Sequence, residues 1–224
     1  MDRKYGCWKR LLAGIMTVAL FCFSLSIVAG AYSTWTPAKM IGGVGQSGNH
    51  TRYYWIDPDS SFSSTWQQRI INAAYDWNHT GSQGCGVYTS VWIQKTTNKH
   101  SSVIDISKVS LPFSFYGGTT HYTEAGNPNS SIDLDIPSQR QNWVWTDIII
   151  NVKLCNEGNS NGQGVLTAPQ KRAVVEHEMG HAFGLRDYSG VYKIMHPFGN
   201  SCLATQPSAD DCYGVNSLYG GYNP

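Results

Sequence analysis

The period of the apolar positions changes several times along the chain, and each change marks an element. Leu11 to Ala29 is one apolar run, interrupted only by small residues and single hydroxyls. Residues 32–50 are glycine-rich without periodicity and read as a loose segment. Thr51–Ile56 (TRYYWI) reads as a strand ended by Asp57-Pro58. The period then becomes helical. Trp66, Ile70, Ala74 and Trp77 recur on one face, Ser64 and Gln67 form a capping box, and the helix fades at Asn78 and Gly81. Val91–Lys95 and Val103–Val109 show strand alternation or β-branched enrichment, and Thr119–Glu124 is a weaker strand. Asp147–Val152 (DIIINV) is a short apolar run of the kind buried on both faces. Thr167 and Gln170 cap a second helix, with Pro169 in its first turn and Gly184 at its end. Ser208, followed by Asp210 and Asp211, opens a C-terminal helix that runs to Tyr219.

Charge and cysteine content change the picture once the first run is read as a leader. Arg3, Lys4, Lys9 and Arg10 precede the run, and Ala29-Gly30-Ala31 offers the small residues of a cleavage site, so residues 1–31 read as a signal peptide. The rival is an uncleaved anchor, since about 18–20 apolar residues can span a bilayer. The whole chain has 16 basic and 15 acidic side chains; removing the leader leaves 12 and 14. The mature protein is therefore not basic, which disfavours a nucleic-acid partner. Four cysteines remain (Cys85, Cys155, Cys202, Cys212), and export points to two disulfides, for which three pairings exist. The short loop between Cys202 and Cys212 favours a local bridge, with Cys85–Cys155 as the second. A four-thiolate zinc site lacks the usual close spacing.

The second helix carries His177-Glu178-Met179-Gly180-His181. Positions i and i+4 share a helical face, so both imidazoles can reach one metal ion, with Glu178 beside them free to touch a water. Gly184 can adopt a left-handed conformation and turn the chain so that Asp187 becomes the third ligand. Asp210 is a rival third ligand. A distant Glu ligand is excluded, because Glu178 is the last Glu in the chain. Ile194-Met195-His196-Pro197 follows. His50, His79, His100, His121 and His196 read as surface or structural residues.

HExxHxxGxxD followed by a methionine turn resembles the metzincin zinc endopeptidases, and the spacing is most similar to the matrixins. The resemblance spans roughly Thr51 to Gly220 and extends to the closing SADDCYGVNSLYG. It departs in Asp187, where most members have His and a snapalysin-like minority has Asp. Pro197 also stands where astacins carry a metal-reaching Tyr, and residues 32–50 hold no Cys for a cysteine switch. The resemblance implies an α+β zincin fold: a mixed five-stranded sheet, two long helices, and a small C-terminal lobe ending in a helix. It implies Zn²⁺ on His177, His181 and Asp187, Glu178 as general base, and Met195 as an apolar floor. It raises calcium at Asp133, Asp135, Asp147 or Glu157, without EF-hand-like spacing. The expected organisation is a leader (1–31), a short segment (32–50) and a catalytic domain (51–224) divided at Gly184 into upper (51–184) and lower (185–224) parts. The gap after the leader is too short for a folded prodomain.

The function expected is a secreted, extracellular, monomeric zinc metalloendopeptidase acting on protein or peptide, with no stable membrane association. The substrate would lie extended along Thr119–Glu124, with Pro197 and Phe198 at the pocket wall. Two alternatives stay open: a silent binding protein on this scaffold, and a zinc amidohydrolase acting on small amides.

Overall fold

The computed structural model describes residues 32–46, 50–111, 115–159, 164–190, 192–197 and 204–222. The leader, Phe198 and Cys202 lie outside these residues.

Six strands form one sheet: β1 (Arg52–Ile56), β2 (Ile93–Thr96), β3 (Ile104–Val109), β4 (Gly117–Tyr122), β5 (Ser131–Ile132) and β6 (Trp145–Asn151), in the order β2-β1-β3-β6-β4-β5. β2, β1, β3 and β6 run parallel, and β4 lies antiparallel to both β6 and β5. The sixth strand beyond the expected five is β5, whose two residues carry too little sequence to show a period. The four described α-helices are α1 (Ser64–Asn78), α2 (Val152–Glu157), α3 (Ala168–Ala182) and α4 (Ala209–Tyr219).

Local chemistry explains most of these limits. The cap of α1 is Ser63, one residue before the expected Ser64; its hydroxyl accepts from Trp66 N–H. Thr167 and Gln170 cap α3 reciprocally, and Ser208 and Asp211 do the same for α4. On α1 the buried face is Trp66, Ile70, Ala73, Ala74 and Trp77. Trp77 Nε1 donates to the Glu176 carbonyl at 2.9 Å and its ring meets Phe183 edge-on, so the C-terminal end of α1 is joined to α3.

Asp147–Val152 does not form a strand buried on both faces. Ile148 and Ile150 are fully buried, while Asp147 and Ile149 point to the other, partly open face, and Val152 already begins α2. The alternating burial along the strand shows that only one of its faces packs into the core.

Residues 32–46 of the glycine-rich segment are not loose. Trp35, Ala38, Met40 and Val44 are core residues. Bridges join Thr34 to Leu185, Met40 to Trp143 and Gly45 to Val91. The segment has no period because it follows no regular element; it is held residue by residue by distant parts of the chain.

Candidate metal centre

Met179, Ala182 and Phe183 bury α3 in the core. Gly180 is where Met195 packs: a Cβ there would come within 2.2 Å of the Met195 sulfur. That thioether packs directly against the helix backbone at Gly180. α3 ends in a Schellman turn. Gly184 has φ +96°, its N–H donates to the His181 carbonyl at 2.9 Å, and Leu185 N–H reaches the Gly180 carbonyl at 3.0 Å. This turn returns the chain so that Asp187 faces the helix.

Asp187 Oδ1 lies 3.3 Å from His177 Nε2 and 3.5 Å from His181 Nε2. His177 is buried, His181 half-buried and Asp187 open to solvent. Each imidazole is fixed through its other nitrogen: His177 Nδ1 lies 2.8 Å from the Ile194 carbonyl, and His181 Nδ1 lies 2.8 Å from the Leu185 carbonyl. A carbonyl only accepts, so these partners assign the proton to Nδ1 and the lone pair to Nε2. Two lone pairs and an anionic oxygen therefore converge on one point, an arrangement that a cation satisfies. Two imidazoles and one carboxylate, with a solvent-open side, suit Zn²⁺ and leave room for a further ligand. Among the described residues this is the one group of three or more His, Cys, Asp or Glu side chains able to hold a metal. The calcium candidates Asp133, Asp135, Asp147 and Glu157 do not gather into a second.

The rival ligand Asp210 turns elsewhere and pairs with Lys193 Nζ at 2.9 Å. Glu178 is 5% exposed and points toward β4. There the Thr119 hydroxyl lies 2.7 Å from its Oε2, and a Cβ on Gly117 would come within 2.8 Å of its Cγ and Oε1. Neither role was legible in the sequence, because Thr119 is 59 positions from Glu178. His121, read as structural, donates from Nε2 to the His181 carbonyl at 2.9 Å. Burial pushes His121 down to about 4, so it stays neutral at physiological pH. Trp35 lies between His121 and His181 and donates to Asp135 at 3.1 Å. Asp135 also pairs with Arg186 at 3.1 Å.

A cleft of about 670 Å³ opens over this group, lined by Trp35, Gly118, Thr120, Glu178, Arg186 and Pro197 among others. β5 pairs only with His121 and Tyr122, so among the described residues the outer edge of Gly117–Thr120 has no strand partner.

The cysteines contradict the expected pairing. Cys85 Sγ lies 3.3 Å from Cys212 Sγ, while Cys155 is buried with its sulfur toward the Tyr116 carbonyl. Cys85 therefore lies beside Cys212 and not beside Cys155, while the Cys202 end of the expected Cys202–Cys212 loop bridge lies outside the described residues. The contact spans 127 positions, so spacing could not reveal it.

This α+β fold, with a histidine-bearing helix, a glycine turn and a methionine packed beneath it, is compatible with the metzincin class. The peptidase M10 family model, described as matrixin, matches residues 91–220. The chain belongs to the matrixin family of zinc metallopeptidases. Among curated proteins nothing matches. A chain of the solved GM1-bound form of the ECX AB5 holotoxin is similar at 14% identity and a TM-score of 0.48, over 82% of this chain and 87% of that one.

Proposed function

We propose that this protein is a secreted zinc endopeptidase in which His177, His181 and Asp187 hold the metal and Glu178 is the general base. The observation that carries this reading is the convergence of both imidazole Nε2 atoms and Asp187 Oδ1 beside Glu178, in an open cleft. Zinc at such a site acidifies water and polarises a carbonyl as a Lewis acid. The protein does the rest. The free edge of Gly117–Thr120 accepts an extended peptide as an added strand and sets the scissile bond in register. Thr119 orients the Glu178 carboxylate, which takes the proton of the attacking water and passes it to the leaving amine. Asp187 in place of a third imidazole is the snapalysin-like feature of the site. The leader supports export, and among the described residues no helix is long and apolar enough to cross a membrane.

Digestion of casein and a peptide library, with and without chelator and with mass spectrometry of the products, tests the reading. Cleavage at internal bonds that stops on chelation and returns with zinc is expected. A Glu178→Ala protein that retains zinc should be inactive. Zinc-loaded wild type that cuts no substrate, or a Glu178→Ala protein at wild-type rate, overturns the assignment.

A further inference from the structure

We propose that Cys85 and Cys212 form an intramolecular disulfide that ties α4 to the loop after α1 and so holds the methionine turn beneath the candidate metal centre. Their sulfurs are in contact at 3.3 Å, with Cys212 fully buried and Cys85 half-exposed. The approach does not depend on the cysteines alone. Asn216 Nδ2, one turn along α4, donates to the Tyr88 carbonyl at 2.9 Å, and Thr89 bridges to Gly221. The loop and the helix are thus aligned at several points beyond the sulfurs.

Accessibility decides the order of steps. Its contact with Cys212 lowers the Cys85 thiol to about 7, whereas that same contact and burial push Cys212 up. Cys85 is the sulfur that an external disulfide can reach, and it has an appreciable thiolate fraction at neutral pH. Its thiolate attacks one sulfur of the oxidant, breaks that S–S bond and releases one thiolate. Cys212 then attacks Cys85 Sγ as its proton leaves, and expels the second. Two protein thiols are oxidised, one small disulfide is reduced to two thiols, and both protons end on those thiols.

The tie reaches the site through the adjacent residue. Asp211 accepts from Ile194 N–H at 3.1 Å and Met195 N–H at 3.4 Å, and the Ile194 carbonyl fixes His177 Nδ1 at 2.8 Å. A helix anchored at Cys212 therefore holds Asp211, the turn and the His177 ring in one chain of contacts. Loss of groups that orient a metal ligand typically weakens metal binding about 10–100-fold.

The test uses the full chain prepared reduced and then treated with glutathione disulfide, so it does not depend on the export or protease readings. A non-reducing digest should contain one peptide joining the Cys85 and Cys212 segments, which separates on reduction. Links from Cys85 to Cys155 or from Cys202 to Cys212, or unmodified thiols at both Cys85 and Cys212, overturn the proposal. The oxidised form should also melt about 5 °C or more above the reduced form and lose zinc to a chelator about tenfold less readily. Both differences should vanish in Cys85→Ser. Identical melting and zinc retention in the two redox forms of the wild type overturn the coupling to the metal centre.

Discussion

Replacing Thr119 by Val tests how Glu178, the proposed general base, is held. The two side chains have nearly the same shape, so the change removes one O–H and little else. In the wild type that hydroxyl lies 2.7 Å from Oε2 of a glutamate that is only 5% exposed. Water has little access to replace the lost donor. A hydrogen bond to a charged group contributes about 1.5–3 kcal/mol, and each 1.36 kcal/mol in a barrier is about tenfold in rate. The expected loss is therefore roughly ten- to a hundredfold in kcat. KM should change little, because the hydroxyl faces Glu178 and not the free strand edge. Thr119→Ser restores the donor and should recover most of the rate. Gly117→Ala should act in the same direction, since its Cβ would fall within 2.8 Å of the Glu178 carboxylate and displace it. Initial rates over a range of peptide concentrations, on protein of equal zinc content and equal melting temperature, give the answer. A Val variant with wild-type kcat, or a Ser variant as slow as Val, would refute the positioning role.

Gly184→Ala forces a side chain into φ +96° and sets its Cβ 2.7 Å from Leu218. A destabilisation of about 1–3 kcal/mol is expected, read as a melting temperature several degrees lower. Arg172 pairs with Glu176 within α3 at 3.0 Å and with Asp76 on α1 at 3.3 Å. Burial and Asp76 push the Glu176 carboxyl well up, so after Arg172→Met it takes a proton, and a loss of about 1–3 kcal/mol in urea denaturation is expected; an unchanged midpoint would show that the pair is not structural. Burial, with Asp105 opposite it on β3, pushes the Asp147 carboxyl up to about 6 from an ordinary 3.8. Folding then takes up a proton between those values. The associated stability is complete below about pH 4 and lost as the pH rises through about 6. Asp147→Asn, neutral throughout, should raise the melting temperature more at pH 7 than at pH 4; an equal gain at both would contradict the shift.

Much of this protein was legible before any fold was known, where the determining chemistry is local. Thr167 with Gln170 and Ser208 with Asp211 satisfy amides within one turn, so they mark helix starts wherever the chain goes. His177 and His181 share a face because the α-helix has a fixed pitch, and Gly184 turns the chain because it lacks a Cβ. Those facts suffice to bring two imidazoles and Asp187 together. The tertiary structure alone decided what depends on approach between distant segments. Trp35 reaches Asp135 across 100 positions, and Cys85 meets Cys212 across 127. Spacing favours the shortest cysteine loop, but packing of α4 against the loop after α1 sets Cys212 beside Cys85. Thr119 alternates on a weak strand like any other residue until β4 is laid beside α3, and only then does its hydroxyl face Glu178. Short-range hydrogen bonds and helical pitch wrote the grouping of His177, His181 and Asp187 into the sequence. The side chains that hold Glu178 and the methionine turn in place were set by how sheet and helices pack.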